Sequence, residues 1–441
     1  MPFVTDKQTL DDLNILGKFR NNSAFSLFNQ TRTSGGERLL EQLFQHPLTD
    51  DAAINERSAI LAYFEHQAPP FIIDGKDLEA TENYLSSAAG GTAVASAGQA
   101  LRRKALHAMG LKEEQELLEA GLQASIRTLK ATDRYVSILL KEDPQGPFSG
   151  PLREAAKILS QPRLRQLLSS PSGQKAGFFK ASGQDHLLRS VMRDEMETIL
   201  KLIYTLDVYT AVSTVSRDRR FSYAKAHPAD ANILHIEEGF HPGIPKAVAN
   251  NVDLDADHNV IFLTGANMAG KSTFMKTFGT NLYLAHMGFP VPAKSMEFSV
   301  KEGIYTSINV PDDISQGYSH FYAEVLRVKK VAEEVSSGKN LVVIFDELFK
   351  GTNVKDAYDA TLAVTAAFAE HDNCLYIIST HIVEVGEALG QTADNIQFRY
   401  MPTVMDGQRP TYTYRVQEGI SSDRHGMMII ENEGILDIIL G

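Results

Sequence analysis

Residues 264–273, TGANMAGKST, constrain this chain more than any other stretch. An apolar run, 260–263, precedes them and the apolar-rich residues 274–278 follow, so the order is buried strand, glycine turn, helix. Gly265, Gly270, Lys271 and Ser272 fit the phosphate-binding pattern of two glycines five apart followed by lysine and a hydroxyl residue. The glycines let successive backbone N–H groups converge on phosphate oxygens, helped by the positive end of the helix. Lys271 would reach the β and γ phosphates, and Ser272 would hold Mg²⁺. The competing reading is an ordinary strand-to-helix turn, and the strand and helix flanking the pattern favour nucleotide binding.

Around this loop the chain divides in character. Its 441 residues suffice for about two to three domains. Residues 7–65 read as short helices joined by polar turns; Thr33 or Ser34 caps one carrying Leu39, Leu40, Leu43 and Phe44, which His46-Pro47 ends. Residues 86–100 are small and weakly patterned. Leu118, Leu122, Ile126, Leu129, Val136 and Leu140 mark a long amphipathic helix, and Met192, Met196, Ile199, Ile203 and Leu206 mark another that continues to Val215. Core packing accounts for these stripes, and the second helix is long enough for a strut or lever. After Arg220 strand-like runs 260–263, Leu341–Phe345 and Leu375–Ser379 alternate with helices, which predicts a mainly parallel sheet. The expected domains are 1–220, all-α, and 221–441, α/β.

Charge separates the same way. The net charge of −12 argues against a nucleic-acid partner for the whole chain. Residues 1–220 hold 27 basic and 27 acidic side chains, against 16 and 28 in 221–441, so the excess lies wholly in the second half. Any DNA contact falls to the neutral half, where the cluster Arg102, Arg103 and Lys104 reads as a solvated helix face. The single cysteine, Cys374, excludes an internal disulfide and, beside the run 375–378, is a core residue. With no signal-like N-terminus and no run of eighteen apolar residues, a cytoplasmic protein without membrane contact is expected.

Two further strand ends carry chemistry. In LVVIFDELFKGT, Asp346 and Glu347 follow an apolar strand; Asp346 would hold the metal and Glu347 would orient the attacking water. Leu375–Ser379 leads to Thr380 and His381 at the same sheet edge, where ligands of such folds bind, so His381 could hydrogen-bond the γ-phosphate or the water. Gly317 and Ser319 precede a helix carrying Phe321, Val325 and Val328; a second anion-binding turn makes most sense as a cap on the nucleotide of a partner subunit.

The set TGANMAGKST, DDISQGYSHFYAE, VIFDELFKGT and STHIVE resembles the ATPase domain of the MutS DNA mismatch repair family, a branch of the ABC-type ATPases. MGFPVPAKS at 287–295, EEGFHP at 237–242 and NQTRTSGGERLLEQLFQHPLTDDAAINERSAI near the N-terminus are similar to that family too. The resemblance implies a P-loop NTPase domain preceded by an all-α core and lever domain. It implies that Gly265, Asn267, Gly270, Lys271, Ser272 and Thr273 bind ATP and Mg²⁺, with Asp346 on the metal, Glu347 as catalytic base and His381 as a switch histidine. Ser319 would act in trans, giving a composite site in a homodimer that binds DNA. Departures from the family pattern accompany it. Ala247 and Val248 stand where an aromatic residue often flanks adenine, and His320 where threonine usually follows the signature serine. The mismatch-reading and connector domains are expected to be missing, as are the C-terminal helix-turn-helix and a nuclease module, and the DNA clamp is expected to be reduced or absent. The alternative to a DNA-binding ATPase is an ATP-gated protein-interaction switch without DNA. An ATPase subunit of a membrane transporter would need a coupling surface that the helical half does not resemble.

Overall fold

A computed structural model describes residues 2–17, 22–86, 112–169, 178–308, 320–406, 409–421 and 435–440. The chain forms two compact units interleaved in sequence: residues 1–28, 43–58 and 215–441 make one, and 29–42 with 59–214 make the other. Against the sequence-based boundary at 220, the division falls at Val215, and two N-terminal segments join the later half of the chain. Of the small-residue stretch 86–100, Ser86 ends helix Gly75–Ser86, while the rest, with Arg102 to Lys104, lies in residues 87–111, outside the described residues.

The first unit is built on a six-stranded sheet in the order Gln417–Glu418, Ile396–Met401, Val260–Gly265, Leu375–Ser379, Leu341–Phe345, Gly303–Ser307. Every pairing is parallel except that of Gln417–Glu418. The three central strands are buried at every residue, as continuous apolar runs require when helices cover both faces. On one face Phe262, Val343, Phe345, Tyr376 and Ile378 form a core with Val328, Val331 and Val335 of helix His320–Ser336 and with Phe368 of helix Val354–Ala369. Cys374 is buried near the start of its strand. A separate four-stranded sheet is ordered Lys225–His227, Ser295–Ser299, Leu234–Gly239, Asn250–Leu254.

N-terminal residues complete this unit. Phe28 and Phe44 meet Phe289 with ring centroids 5.5 and 5.7 Å apart, and Phe28 meets Phe221 at 6.2 Å. Val4 bridges to Gly303 at the sheet edge. Helix Lys7–Asp12 then fastens the same strand, because Asp12 accepts from Thr306 Oγ1 at 2.7 Å and from the Ile308 N–H at 2.9 Å. Asp6 pairs with Arg327 and with Lys330 at 2.9 Å. Burial works against its charge, but the hydrogen bonds from Arg327 and Lys330 outweigh it and hold the carboxyl well below its usual range.

Among the described residues of the second unit, all secondary structure is helical. The predicted amphipathic helix is Lys112–Glu142, and the lever-like one is Arg193–Arg219, about 40 Å long at 1.5 Å per residue. Helix Ser149–Leu159 carries Pro151 in its first turn, where a missing N–H costs nothing. Helix Ser34–Gln45 presses closely on the long helix: a Cβ on Gly35 would lie 2.2 Å from the Tyr204 ring. Asp207 secures that contact. It accepts from the backbone N–H groups of Arg32 and Thr33 at 3.0 and 2.9 Å and from Thr33 Oγ1 at 2.7 Å, and Thr33 Oγ1 in turn accepts from the Gly36 N–H at 2.9 Å. Thr33 is thus the cap, oriented by a carboxylate 174 residues away. No described helix is long and apolar enough to cross a membrane.

Asp207→Ala leaves the buried Thr33 N–H and the part-buried Arg32 N–H without an acceptor and should cost about 2–4 kcal/mol, read as a lower denaturation midpoint of the helical unit. Asp207→Asn keeps one acceptor oxygen and should lose less. A variant with Ala at this position that unfolds at the unmodified midpoint would refute the capping account.

Candidate functional site

Three strands reach one edge of the sheet side by side, with Ser379 level with Leu263 and Ile378 level with Phe345. Each leads there into one of the predicted chemical segments. After Val260–Gly265 the chain turns through Gly265 at φ 142° and Gly270 at φ 107°, values that L side chains rarely adopt. A Cβ on Gly265 would also lie 2.9 Å from the Met401 carbonyl. Asn267 and Met268 are exposed at the loop tip. Helix Lys271–His286 follows with Gly270 as its N-cap and no side-chain cap. The first-turn N–H groups of Lys271, Ser272 and Thr273 therefore have no intrahelical acceptor and point toward the loop.

Lys271 is buried at 4% exposure, and its Nζ donates to the carbonyls of Gly265 at 2.9 Å and Ala266 at 3.2 Å. Burial lowers its pKa, and the charges of Glu347 and Asp346 work in the other direction. Asp346 gathers neighbouring elements: its N–H donates to Ser307 O at 2.9 Å, and its two carboxylate oxygens accept from Ser272 Oγ and Ser379 Oγ, each at 2.5 Å. The next residue, Glu347, has φ 56° and donates its N–H to Ser379 O at 3.0 Å. Its carboxylate meets His381 Nε2 at 2.5 Å and Lys350 Nζ at 3.6 Å. The His381 hydrogen bond, with the charges of Lys350 and Lys271, outweighs burial and pulls Glu347 down to about 2.

Beside the helix start lies a cavity of about 380 Å³ lined by His241, Val248, Gly270, Thr273, Phe274 and Tyr414 among others. The Tyr414 ring stands against the loop, 3.0 Å from where a Gly270 Cβ would be. Asn250 holds it there: Nδ2 donates to Tyr414 O at 2.9 Å, and Oδ1 accepts from the Val416 N–H at 2.8 Å. Burial lowers the pKa of His241.

Comparison with known families adds what geometry alone does not. The family model described as MutS domain III matches residues 8–235, and that described as MutS domain V matches residues 261–440. The chain belongs to the MutS family. It is 24% identical to the DNA mismatch repair protein MutS of Leuconostoc mesenteroides over 534 residues, covering 100% of this chain and 62% of that protein. It is 27% identical to that of Geobacillus thermodenitrificans, over 54% of this chain and 26% of the relative, and 28% identical to that of Leuconostoc citreum, over 57% and 29%. The chain thus spans less than two thirds of the length of these curated relatives.

Within this MutS-family chain the structure brings Gly265, Asn267, Gly270, Lys271, Ser272 and Thr273 into one loop and helix start. It sets Asp346, Glu347 and His381 directly beside them. Val248 lines the cavity next to Thr273. Ser319 and Gly317 lie outside the described residues, and helix His320–Ser336 begins just after them. Sequence reasoning missed Ser379 as a hydrogen-bond partner of Asp346, and it missed Tyr414 and His241, which line the cavity together with Phe274. Alanine and valine at 247 and 248 had pointed to a site without an aromatic residue; Tyr414 enters from another part of the chain, and its only sequence signal is the run TYTYR, 411–415. The segments 237–242 and 287–295, noted for family likeness, adjoin: the Phe240 N–H donates to Pro292 O at 2.9 Å.

If the cavity receives a base, Tyr414→Ala should weaken adenine-nucleotide binding about tenfold or more through lost stacking, and Tyr414→Phe should not. Titration with a fluorescent ATP analogue checks this, and equal affinities for the Ala and unmodified proteins would exclude Tyr414 as the base platform. A second outcome concerns Glu347. Its folded pKa is depressed from 4.5, so its stabilising contribution is present above 4.5 and is lost as pH falls toward about 2. In His381→Ala the side-chain carboxyl ¹³C titration of Glu347 should move back toward 4.5.

Proposed function

We propose that the chain is a Mg²⁺-dependent ATPase with an ABC-type P-loop fold that works as a homodimer through its ATPase halves. In this reading ATP closes the paired halves, hydrolysis reopens them, and the motion drives helical levers that hold or release DNA in mismatch repair or related DNA maintenance. The observation that carries the reading is the convergence of Lys271, Ser272, Asp346, Glu347 and His381 at adjoining strand ends. The relatives' name, DNA mismatch repair protein MutS, supports the biological setting.

The residues fit the chemistry. First-turn amides and the Lys271 ammonium would receive the phosphates. Ser272 and Asp346 would hold Mg²⁺, an ion that hard oxygen donors such as theirs suit. When bound, Mg²⁺ supplies neutralisation of the phosphate charge. Glu347, ionised throughout the physiological range, would orient the attacking water and take its proton, while His381 fixes the carboxylate's direction. Ser319 of a second copy would contact the γ-phosphate, and Tyr414 would stack on adenine.

Lys271→Ala should abolish ATP binding. Glu347→Gln should bind ATP, hydrolyse it at least about 100-fold more slowly, and accumulate as dimers in light scattering. A Glu347→Gln protein that releases phosphate at the unmodified rate would overturn the assignment. One observation favours a second reading, a protein-interaction switch without DNA: residues 1–220 carry no net positive charge and residues 221–441 carry the whole acidic excess. DNA held through phosphate contacts weakens steeply with salt. Failure of Glu347→Gln with ATP to bind duplex, mismatched or branched DNA at low salt would favour the switch.

A further inference from the structure

The four residues that follow strand Leu341–Phe345 are each tied to a different element. The Asp346 N–H donates to Ser307 O and the Glu347 N–H to Ser379 O, both partners lying in the same sheet. Leu348 O accepts from Thr361 Oγ1 at 3.3 Å, in the helix into which the segment leads. The Phe349 N–H donates to Glu324 Oε1 at 2.7 Å. Glu324 comes from helix His320–Ser336, and it is a carboxylate at 3% exposure directed at a backbone amide. Two of the four anchored residues, Glu347 at φ 56° and Phe349 at φ 61°, hold left-handed backbone, which a non-glycine residue keeps only where its surroundings over-determine it.

The helix grips the segment at more than one point. The Phe321 ring packs on the Phe349 ring with centroids 6.1 Å apart. On the turn after Glu324, Arg327 Nε donates to Thr306 O at 3.1 Å, beside the strand end that holds Asp346. Sheet neighbours fix Asp346 and the Glu347 amide; beyond Glu347 the backbone is held by the 3.3 Å bond from Thr361 Oγ1 to Leu348 O and by the shorter one from the Phe349 N–H to Glu324.

We propose that Glu324 is the positioning residue for Glu347: its oxygen on the Phe349 amide sets the backbone that presents the Glu347 carboxylate beside His381. This inference rests on the reading of Glu347 as the group that orients water. The Phe349 amide requires an acceptor oxygen at hydrogen-bond distance, and a neutral carbonyl supplies one as well as a carboxylate does. Losing it leaves a buried N–H unsatisfied next to two strained residues, so the segment relaxes and the carboxylate drifts. A displacement of the order of 1 Å in a catalytic group costs up to about a hundredfold in rate while leaving binding intact.

The test compares Glu324→Ala with Glu324→Gln by steady-state Mg-ATP hydrolysis and by hydrogen exchange of the peptide spanning residues 341–353. Glu324→Ala should lose about tenfold or more in kcat with KM changed less than about threefold, and Glu324→Gln should stay within about threefold of the unmodified rate. The Phe349 amide should exchange about tenfold or more faster in the Ala variant and at its original rate in the Gln variant. Unchanged exchange and kcat in Glu324→Ala, or a Gln variant as impaired as the Ala one, would overturn the proposal. If the unmodified protein hydrolyses no ATP, the reading of Glu347 fails, and the exchange comparison still decides whether Glu324 holds the segment. Should Glu324→Ala not fold, Glu324→Asp, one methylene shorter, must show the same loss of kcat and of Phe349 protection; full activity and protection in that variant would refute the link.

Discussion

The hydrogen bonds to Asp346 are what turn a sheet edge into a site. A parallel sheet delivers the carboxyl ends of its strands to one side, but proximity alone fixes no side chain. Here the carboxylate accepts from Ser272 on the helix after the central strand and from Ser379 at the end of the neighbouring strand, while its own N–H reaches Ser307 on another. Both side-chain donors are neutral hydroxyls. They orient the carboxylate without cancelling its charge, as the proposed Mg²⁺ ligand would need.

Rigidity at that edge supports strain one residue further on. Glu347 and Phe349 hold backbone angles that neither would adopt in a free loop. The same wall is buttressed from the N-terminal segment: Thr9 Oγ1 accepts from the Thr306 N–H at 3.0 Å, Asp12 holds Thr306 and Ile308, and Asp6 holds Arg327. Hydrogen bonds thus run from the first dozen residues to the strand beside Asp346 and Glu347, all within one unit.

What the sequence made legible was local. A glycine-lysine-serine loop between an apolar run and a helix announces itself in ten residues, and fully apolar strands such as Leu341–Phe345 announce burial on both faces. Thr33 was readable as a cap for the same reason. Asp207, which orients that cap, was not, because helical periodicity says nothing about a carboxylate 174 residues away. Tyr414 escaped because no periodicity marks a side chain on an irregular segment, where Asn250 holds the chain from 164 residues upstream. The interleaving of the two units escaped likewise: Phe28, Phe44 and Asp12 read as ordinary helix residues, and only the folded chain shows that their partners are Phe289 and Thr306.

The union of residues 1–28 and 43–58 with 215–441 bears on how the protein comes into being. Asp12 and Thr306 are separated by 294 residues. At a synthesis rate of about 5–20 residues per second, Asp12 leaves the ribosome roughly 15–60 seconds before its partner exists. In that interval the described helices within residues 59–214 are complete and free to fold, whereas Phe28 has Phe44 at hand but must wait for Phe221 and Phe289. Contacts of such long span are late and slow to close. The edge that steadies the segment from Asp346 to Phe349 is therefore among the last parts of the chain to find its place, and during that wait the nascent protein is most open to capture by a chaperone or by another chain.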